Sequence, residues 1–273
     1  MPQPVWSFNT GNLTGPMSQK IDAIASAGFA AATVWHADMF PPFDDPDGAI
    51  LPFRGSGLKL SAYQMVRDLE GAPPEVRAHK LELARQLIDQ LLLLGGDTLV
   101  LASNGSDAVV RDWDGAVAAL RQIGDLGKAR NVRIAFEPLC YTPWINDYRI
   151  GWKLVRDADH SHVGLVLDTA HIFLLDSPLD DIAGIPGDRI FLVELNDLPD
   201  TGLNIREMLR NYRMFPGEGK RPLDAFLKVV LATGYRGHFA LEVFNAAYRA
   251  MDPHAVARRG HASLERLFAK AGA

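Results

Sequence analysis

Val132-Arg-Ile-Ala-Phe-Glu137 is a short apolar run that stops on a carboxylate, and the chain repeats the pattern three times. Val163-Gly-Leu-Val-Leu-Asp168, Ile190-Phe-Leu-Val-Glu194 and His238-Phe-Ala-Leu-Glu242 have the same shape. Runs of this length read as strands buried on both faces, as in a parallel sheet. A buried strand that stops on an acid presents that acid at one edge of the sheet. Four such strands point to four carboxylates converging on one spot. So much charge is strongly disfavoured in isolation, and a divalent cation is its natural partner.

Outward from these runs, strand-like and helix-like stretches alternate along the whole chain. Strands are predicted near 4–9, 30–35, 58–64, 97–102, 132–137, 163–168, 190–195 and 238–243. Apolar residues at helical spacing predict helices over Ser18–Ala27, Glu75–Leu94, Trp113–Arg130 and Leu223–Thr233, with Gly95-Gly96 as a stop. Eight strands with intervening helices imply a single α/β domain over 1–273, a (β/α)8 TIM barrel. A doubly wound sheet is the alternative, but no glycine-rich phosphate loop follows the first strand. No low-complexity linker or composition break marks a second domain. Two long loops, His36–Gly57 and Asn196–Lys220, follow strands and so fall on the barrel face where active sites form.

Composition narrows the function. The chain has 273 residues and a net charge of -5, which argues against a nucleic-acid partner. The lone Cys140 rules out an internal disulfide and any multi-cysteine zinc site, and makes a reducing, cytoplasmic setting the default. The N-terminal residues carry no signal-peptide pattern, and no apolar stretch reaches the roughly 20 residues a membrane span needs.

Glu137, Asp168, Glu194 and Glu242 end strands five to eight, 31, 26 and 48 residues apart (137 to 168, 168 to 194, 194 to 242). Adjacent barrel strands lie about 4.8 Å apart, so neighbouring carboxylates can share one ion. Taken singly, each acid reads equally well as a solvated strand end or a helix cap; the set of four favours a metal site. His171, three residues after Asp168, is placed to exchange a proton with a metal-bound carbonyl substrate, and is the candidate base. Its plain alternative is a structural histidine bonded to a carboxylate. Arg67 and Arg213 follow strands three and seven. Their guanidinium forks suit a substrate carboxylate or phosphate and offset the acidic cluster, although either could be an ordinary ion-pair arginine. His36 and Asn104 are weaker substrate-binding candidates, resting on position alone. The five tryptophans read as packing residues, His160 and His162 as solvated, and Cys140 has no evident nucleophilic role.

At these residues the chain resembles the xylose isomerase-like TIM barrels, the sugar phosphate isomerase/epimerase superfamily. Within that group it is most similar to bacterial 3-dehydroshikimate dehydratases. The stretches that carry the resemblance are Tyr63–Gly71, Leu94–Asn104, Trp152–His160, Leu167–Ile172 and Arg213–Pro216. The resemblance implies that Glu137, Asp168, Glu194 and Glu242 are metal ligands, that His171 is catalytic, and that Arg67 and Arg213 hold the substrate. Two positions depart from the family pattern. Glu194 stands where histidine, or glutamine in some dehydratases, is usual. A third carboxylate there favours a hard ion, Mg2+ or Mn2+ with Co2+ as a further candidate, unless Glu194 is protonated or acts as a base outside the shell. Thr33-Val-Trp-His36-Ala-Asp38 replaces an acidic stretch after strand two.

Three functions are compatible with this reading. The first is a lyase that dehydrates a β-hydroxy ketone acid such as 3-dehydroshikimate to protocatechuate through a stabilised enolate. The second is a ketose or inositol-type sugar isomerase or epimerase, with Glu137 and Glu242 as the acid/base pair. The third is a non-catalytic barrel. Two loop arginines favour an acidic small molecule over a neutral sugar. Barrels of this kind often form homo-oligomers, but no stretch marks an interface.

Overall fold

The computed structural model describes residues 4–39 and 47–272. Eight strands, Val5–Asn9 (β1), Ala31–Trp35 (β2), Lys59–Arg67 (β3), Thr98–Ala102 (β4), Arg133–Glu137 (β5), Val163–Asp168 (β6), Ile190–Leu195 (β7) and His238–Leu241 (β8), close in that order into a parallel barrel. Between and after them come Met17–Ser26 (α1), Asp47–Gly55 (α2), Pro74–Leu93 (α3), Trp113–Lys128 (α4), Tyr148–Ala158 (α5), Thr169–Leu174 (α6), Ile205–Asn211 (α7), Leu223–Ala232 (α8), Ala246–Arg249 (α9) and Pro253–Ala271 (α10). The eight predicted strands are all present. β3 runs on to Arg67, so that arginine belongs to the strand, and Glu242 lies one residue beyond β8.

Both stretches expected to be long loops contain helices. The second holds α7; the first holds α2, and its residues 40–46 lie outside the described residues. Two long helices, α5 and α10, have no counterpart among the predicted stretches. Their packing faces mix large apolar residues with small ones: Gly151 and Ala158 in α5, Gly260 and Ser263 in α10. Gly260 allows close approach, since a Cβ there would come within 2.8–3.0 Å of Phe8, Leu241 and Phe215. Side-chain caps start both helices, Asp147 accepting from the Arg149 N–H and Asp252 from the Ala255 N–H. Among the described residues no helix is long and apolar enough to cross a membrane.

The larger apolar core fills the space between barrel and helices, and a smaller one fills the lumen with Ala62, Val100, Ala135, Val166, Leu192 and Ala240. Successive side chains on a strand point to opposite faces, so a residue two further on faces the lumen again. Two places beyond those residues stand Gln64, Ala102, Glu137, Asp168, Glu194 and Glu242. The alternation that buries the small core thus lifts a polar layer above it, at the C-terminal mouth of the barrel. On the β1 side, buried hydroxyls continue the lumen: Ser7 Oγ is 2.6 Å from Ser61 Oγ, which is 2.8 Å from Thr33 Oγ1.

Candidate active site

Glu137, Asp168, Glu194 and Glu242 are all buried, and one oxygen from each lies within 4.8 Å of the others. Register explains the convergence: Asp168 pairs with Glu194 across β6 and β7, and Glu194 with Ala240 across β7 and β8.

Neutral and cationic donors hold part of this ring. Glu242 Oε1 accepts from Asn9 Nδ2 at 3.0 Å and Gln64 Nε2 at 2.9 Å, and Glu194 Oε1 accepts from the same Gln64 amide at 2.8 Å. Asp168 Oδ1 accepts from Asn196 Nδ2 and the Ala170 N–H, both at 2.8 Å. Arg213 lies inside the cluster, 3% exposed. Its Nη1 is 2.8 Å from both Asp168 Oδ2 and Glu242 Oε2, and its Nε donates to the Leu209 carbonyl. Of the two roles the sequence suggests for Arg213, substrate anchor and offset to the acidic cluster, the structure shows the second: the segment after α7 folds back over the ring and commits it to two carboxylates. Asp197 anchors that segment, its carboxylate accepting the N–H groups of Leu198, Gly217, Gly219 and Arg221. A Cβ at Gly219 would collide with this carboxylate and with the Leu198 carbonyl.

Three buried atoms at the ring have no hydrogen-bond partner among the described residues: Glu137 Oε2, Glu194 Oε2 and His171 Nε2. Buried polar atoms are normally satisfied, so orphans aimed at one cluster of oxygens mark where a further group belongs. An oxygen-rich donor set of this spacing fits a divalent cation. Without one, the charge is absorbed internally. Burial, with Glu242, Glu137 and Asp168 alongside, pushes Glu194 well above the usual carboxylate range. Burial also lifts Glu242, to about 7, with Arg213 opposing the shift and Glu137 and Asp168 adding to it. Burial acts against ionised Asp168 too, yet Arg213 and His171 hold it below its ordinary value.

His171 sits in α6, which Asp168 caps. Its Nε2 lies 3.5 Å from both Glu137 Oε1 and Asp168 Oδ2, and its Nδ1 faces Cys140. Burial works against an imidazolium here, but Asp168, Cys140 and Glu137 raise its pKa well above the ordinary histidine value.

Above the ring opens a cavity of about 750 Å3 whose wall includes Glu137, His171, Glu242, His36, Arg67 and Arg213. His36 Nδ1 is 2.9 Å from the Gln64 carbonyl, beside the ring's main amide donor. Asn104 is absent from this wall. Its side-chain amide donates to the Glu70 carbonyl and its N–H to the Glu70 carboxylate, a buried pair just past the ends of β3 and β4. Burial pushes Glu70 up to about 8, against the Asn104 N–H. Residues that strand-end acidity does not flag also belong to the site. Asn9 and Gln64 hold the ring, and Arg206 and Arg210 of α7 line the cavity, with Arg206 stacked 5.1 Å over Tyr141. Among the described residues, Arg67, Arg206 and Arg210 have no carboxylate partner within 4.0 Å.

The fold and this ring define a (β/α)8 barrel with a carboxylate centre at its C-terminal mouth. Residues 21–267 match the xylose isomerase-like TIM barrel family, and the chain belongs to it. It is 34% identical over 258 residues to a 3-dehydroshikimate dehydratase of Pseudomonas putida, covering 94% of this chain and 41% of that protein. It is 26% identical over 137 residues to an inosose isomerase of Bacillus subtilis, covering 49% of this chain and 48% of that one. A solved xylose isomerase-like TIM barrel/4-hydroxyphenylpyruvate dioxygenase fusion protein superposes with a TM-score of 0.94 at 33% identity, covering 98% of this chain and 43% of the fusion. The chain thus spans less than half the length of the dehydratase and the fusion.

Proposed function

We propose that the chain is a divalent-metal-dependent lyase that removes water from a β-hydroxy ketone acid, taking 3-dehydroshikimate to protocatechuate. The observation that carries this is the meeting of two features in one cavity: an open carboxylate ring below, and above it arginines that have no carboxylate partner among the described residues. The ring suits Mg2+ or Mn2+, held by Glu137, Asp168, Glu194 and Glu242, which would act as a Lewis acid on the substrate ketone. Arg67, with Arg206 and Arg210, would hold the substrate carboxylate, a role for which a bidentate guanidinium is suited. Glu137 Oε2 and His171 Nε2 border the cavity without partners and are the groups placed to handle the proton. The similarity to a 3-dehydroshikimate dehydratase over 94% of this chain supports the same reading. The buried, unpaired Cys140 suits a cytoplasmic setting.

The half-chain similarity to an inosose isomerase keeps a sugar isomerase as the second reading, in which those arginines have no carboxylate to bind. Protein stripped of metal, reloaded separately with Mg2+, Mn2+ or Co2+ and given 3-dehydroshikimate is expected to form protocatechuate, followed by ultraviolet absorbance, only when loaded. No product from protein with the ion shown to be bound would overturn the lyase reading, and inosose turnover by the same samples would replace it.

A further inference from the structure

We infer that Cys140 is a positioning residue that keeps a proton on Nε2 of His171, so that this histidine serves the cavity as a hydrogen-bond donor and not as its base. The role at the substrate rests on the lyase reading; the place of the proton on the ring does not.

The argument starts from an atom that can only donate. The backbone N–H of Cys140 points at His171 Nδ1, 3.3 Å away. The strap that carries this amide is pinned. The Leu139 N–H donates to Ser103 Oγ at 2.9 Å, and Thr142 returns both its N–H and its hydroxyl to the Leu139 carbonyl. Cys140 is buried, so its amide has no water to turn to. The Cys140 sulfur lies 3.2 Å from the same nitrogen and can give its S–H to it.

An imidazole has two neutral forms. With the proton on Nε2, Nδ1 offers a lone pair to the Cys140 amide and thiol, and both contacts are satisfied. With the proton on Nδ1, that N–H faces another N–H, and a buried amide loses its acceptor. The imidazolium carries a proton on both nitrogens. Nε2 therefore bears hydrogen in every form except the one the Cys140 amide opposes. This is also the nitrogen that turns toward Glu137 and Asp168 at 3.5 Å.

A nitrogen that already holds a proton cannot take one from carbon. It can donate to a substrate oxygen that gathers negative charge, as a neutral histidine does in other enolising enzymes. The α-proton then goes to Glu137 Oε2, which has no partner. The C–H bond breaks and its electron pair moves into the ketone as an enolate. The β C–O bond breaks next, and the enolate pair forms the C=C bond. The oxygen leaves with its bonding pair and takes the proton back from Glu137 as water. His171 keeps its proton throughout, and both residues end as they began.

The test is a long-range 1H–15N correlation spectrum of the Mg2+-loaded protein labelled at histidine nitrogens, with His171 assigned by its loss in H171Q. A protonated Nε2 is expected; a bare Nε2 with a protonated Nδ1 overturns the inference. C140A keeps the backbone N–H and is expected to keep Nε2 protonated, whereas C140P, which removes that N–H, is expected to mix the two ring forms and lower turnover. A C140P protein, folded by circular dichroism, that matches the wild type in both readouts overturns the positioning role. In turnover, H171Q can still donate through its amide and is expected to exceed H171A by about tenfold; equal loss in the two variants overturns the donor role. A wild type that makes no protocatechuate breaks the lyase reading and leaves the spectrum to judge the proton's place.

Discussion

Strands β5 to β8 bring Glu137, Asp168, Glu194 and Glu242 to the mouth of the barrel, whereas β1 to β4 bring Asn9, Trp35, Gln64 and Ala102. The β5–β8 half carries the ring's charge. The β1–β4 half carries none of it, yet Asn9 and Gln64 donate across the lumen to Glu194 and Glu242. Those donors occupy some lone pairs and leave others open, so Glu242 is bonded at both oxygens while Glu194 keeps a free one. Affinity for a cation comes from the acidic half, and the orientation of its oxygens from the neutral half. Damage to each should therefore fail in a different way.

The sharpest break is D168A in the acidic half. It removes a proposed ligand and a partner of Arg213, and turnover should fall about a thousandfold with loss of metal binding by calorimetry. Next is R213M, which removes the guanidinium that pairs with Asp168 and Glu242. Urea unfolding of metal-free protein should show a loss of about 3–5 kcal/mol, partly recovered with Mn2+. Q64A probes the neutral half. Metal affinity should drop about 10–100-fold, the range for groups that orient ligands, while the protein stays folded by circular dichroism. An unchanged affinity would dissolve the distinction between the halves.

The smallest effect concerns pH. Glu242, lifted by burial to about 7 from an ordinary 4.5, binds more protons folded than unfolded between those values, so metal-free stability falls as pH rises through that window. Each such group contributes at most about 1.4 kcal/mol per pH unit. Glu194, shifted the same way, steepens the fall, and Asp168, shifted down, acts in the opposite sense at lower pH. Thermal melts should show added Mn2+ protecting more strongly at pH 8 than at pH 5. Glu70, lifted by burial to about 8 but outside the ring, should leave a residual fall that metal does not remove and that E70Q flattens.

The same division explains what could be read from the chain alone. An acid that ends an apolar run stands out, so the acidic half and the eight strands were legible. Asn9 ends β1 and Gln64 lies inside β3, where a neutral amide looks like any polar strand residue; only their place two residues beyond a lumen position identifies them. Arg213 lies 45 residues from Asp168, and its pairing depends on how the segment after β7 folds back. The three-residue spacing puts His171 beside Asp168, whereas the direction of its ring depends on a backbone amide 31 residues away. The helices α5 and α10 lie outside the sequence expectations although each buries large apolar residues at helical spacing, Leu154 and Val155 in α5 and Leu264, Leu267 and Phe268 in α10.

The Asp197 carboxylate, gripping four amide hydrogens, makes the base of its loop a splint between β7 and the turn at Pro216–Gly219. For an engineer this divides the loop into a part to keep and a part to vary. Grafts that disturb residues 197 and 213–221 would displace Arg213 and with it the carboxylates it steadies. The exposed turn of α7 carrying Arg206 and Arg210 borders the cavity without taking part in that splint. Libraries that seek a new substrate belong there, where a poor choice costs recognition and leaves the scaffold intact.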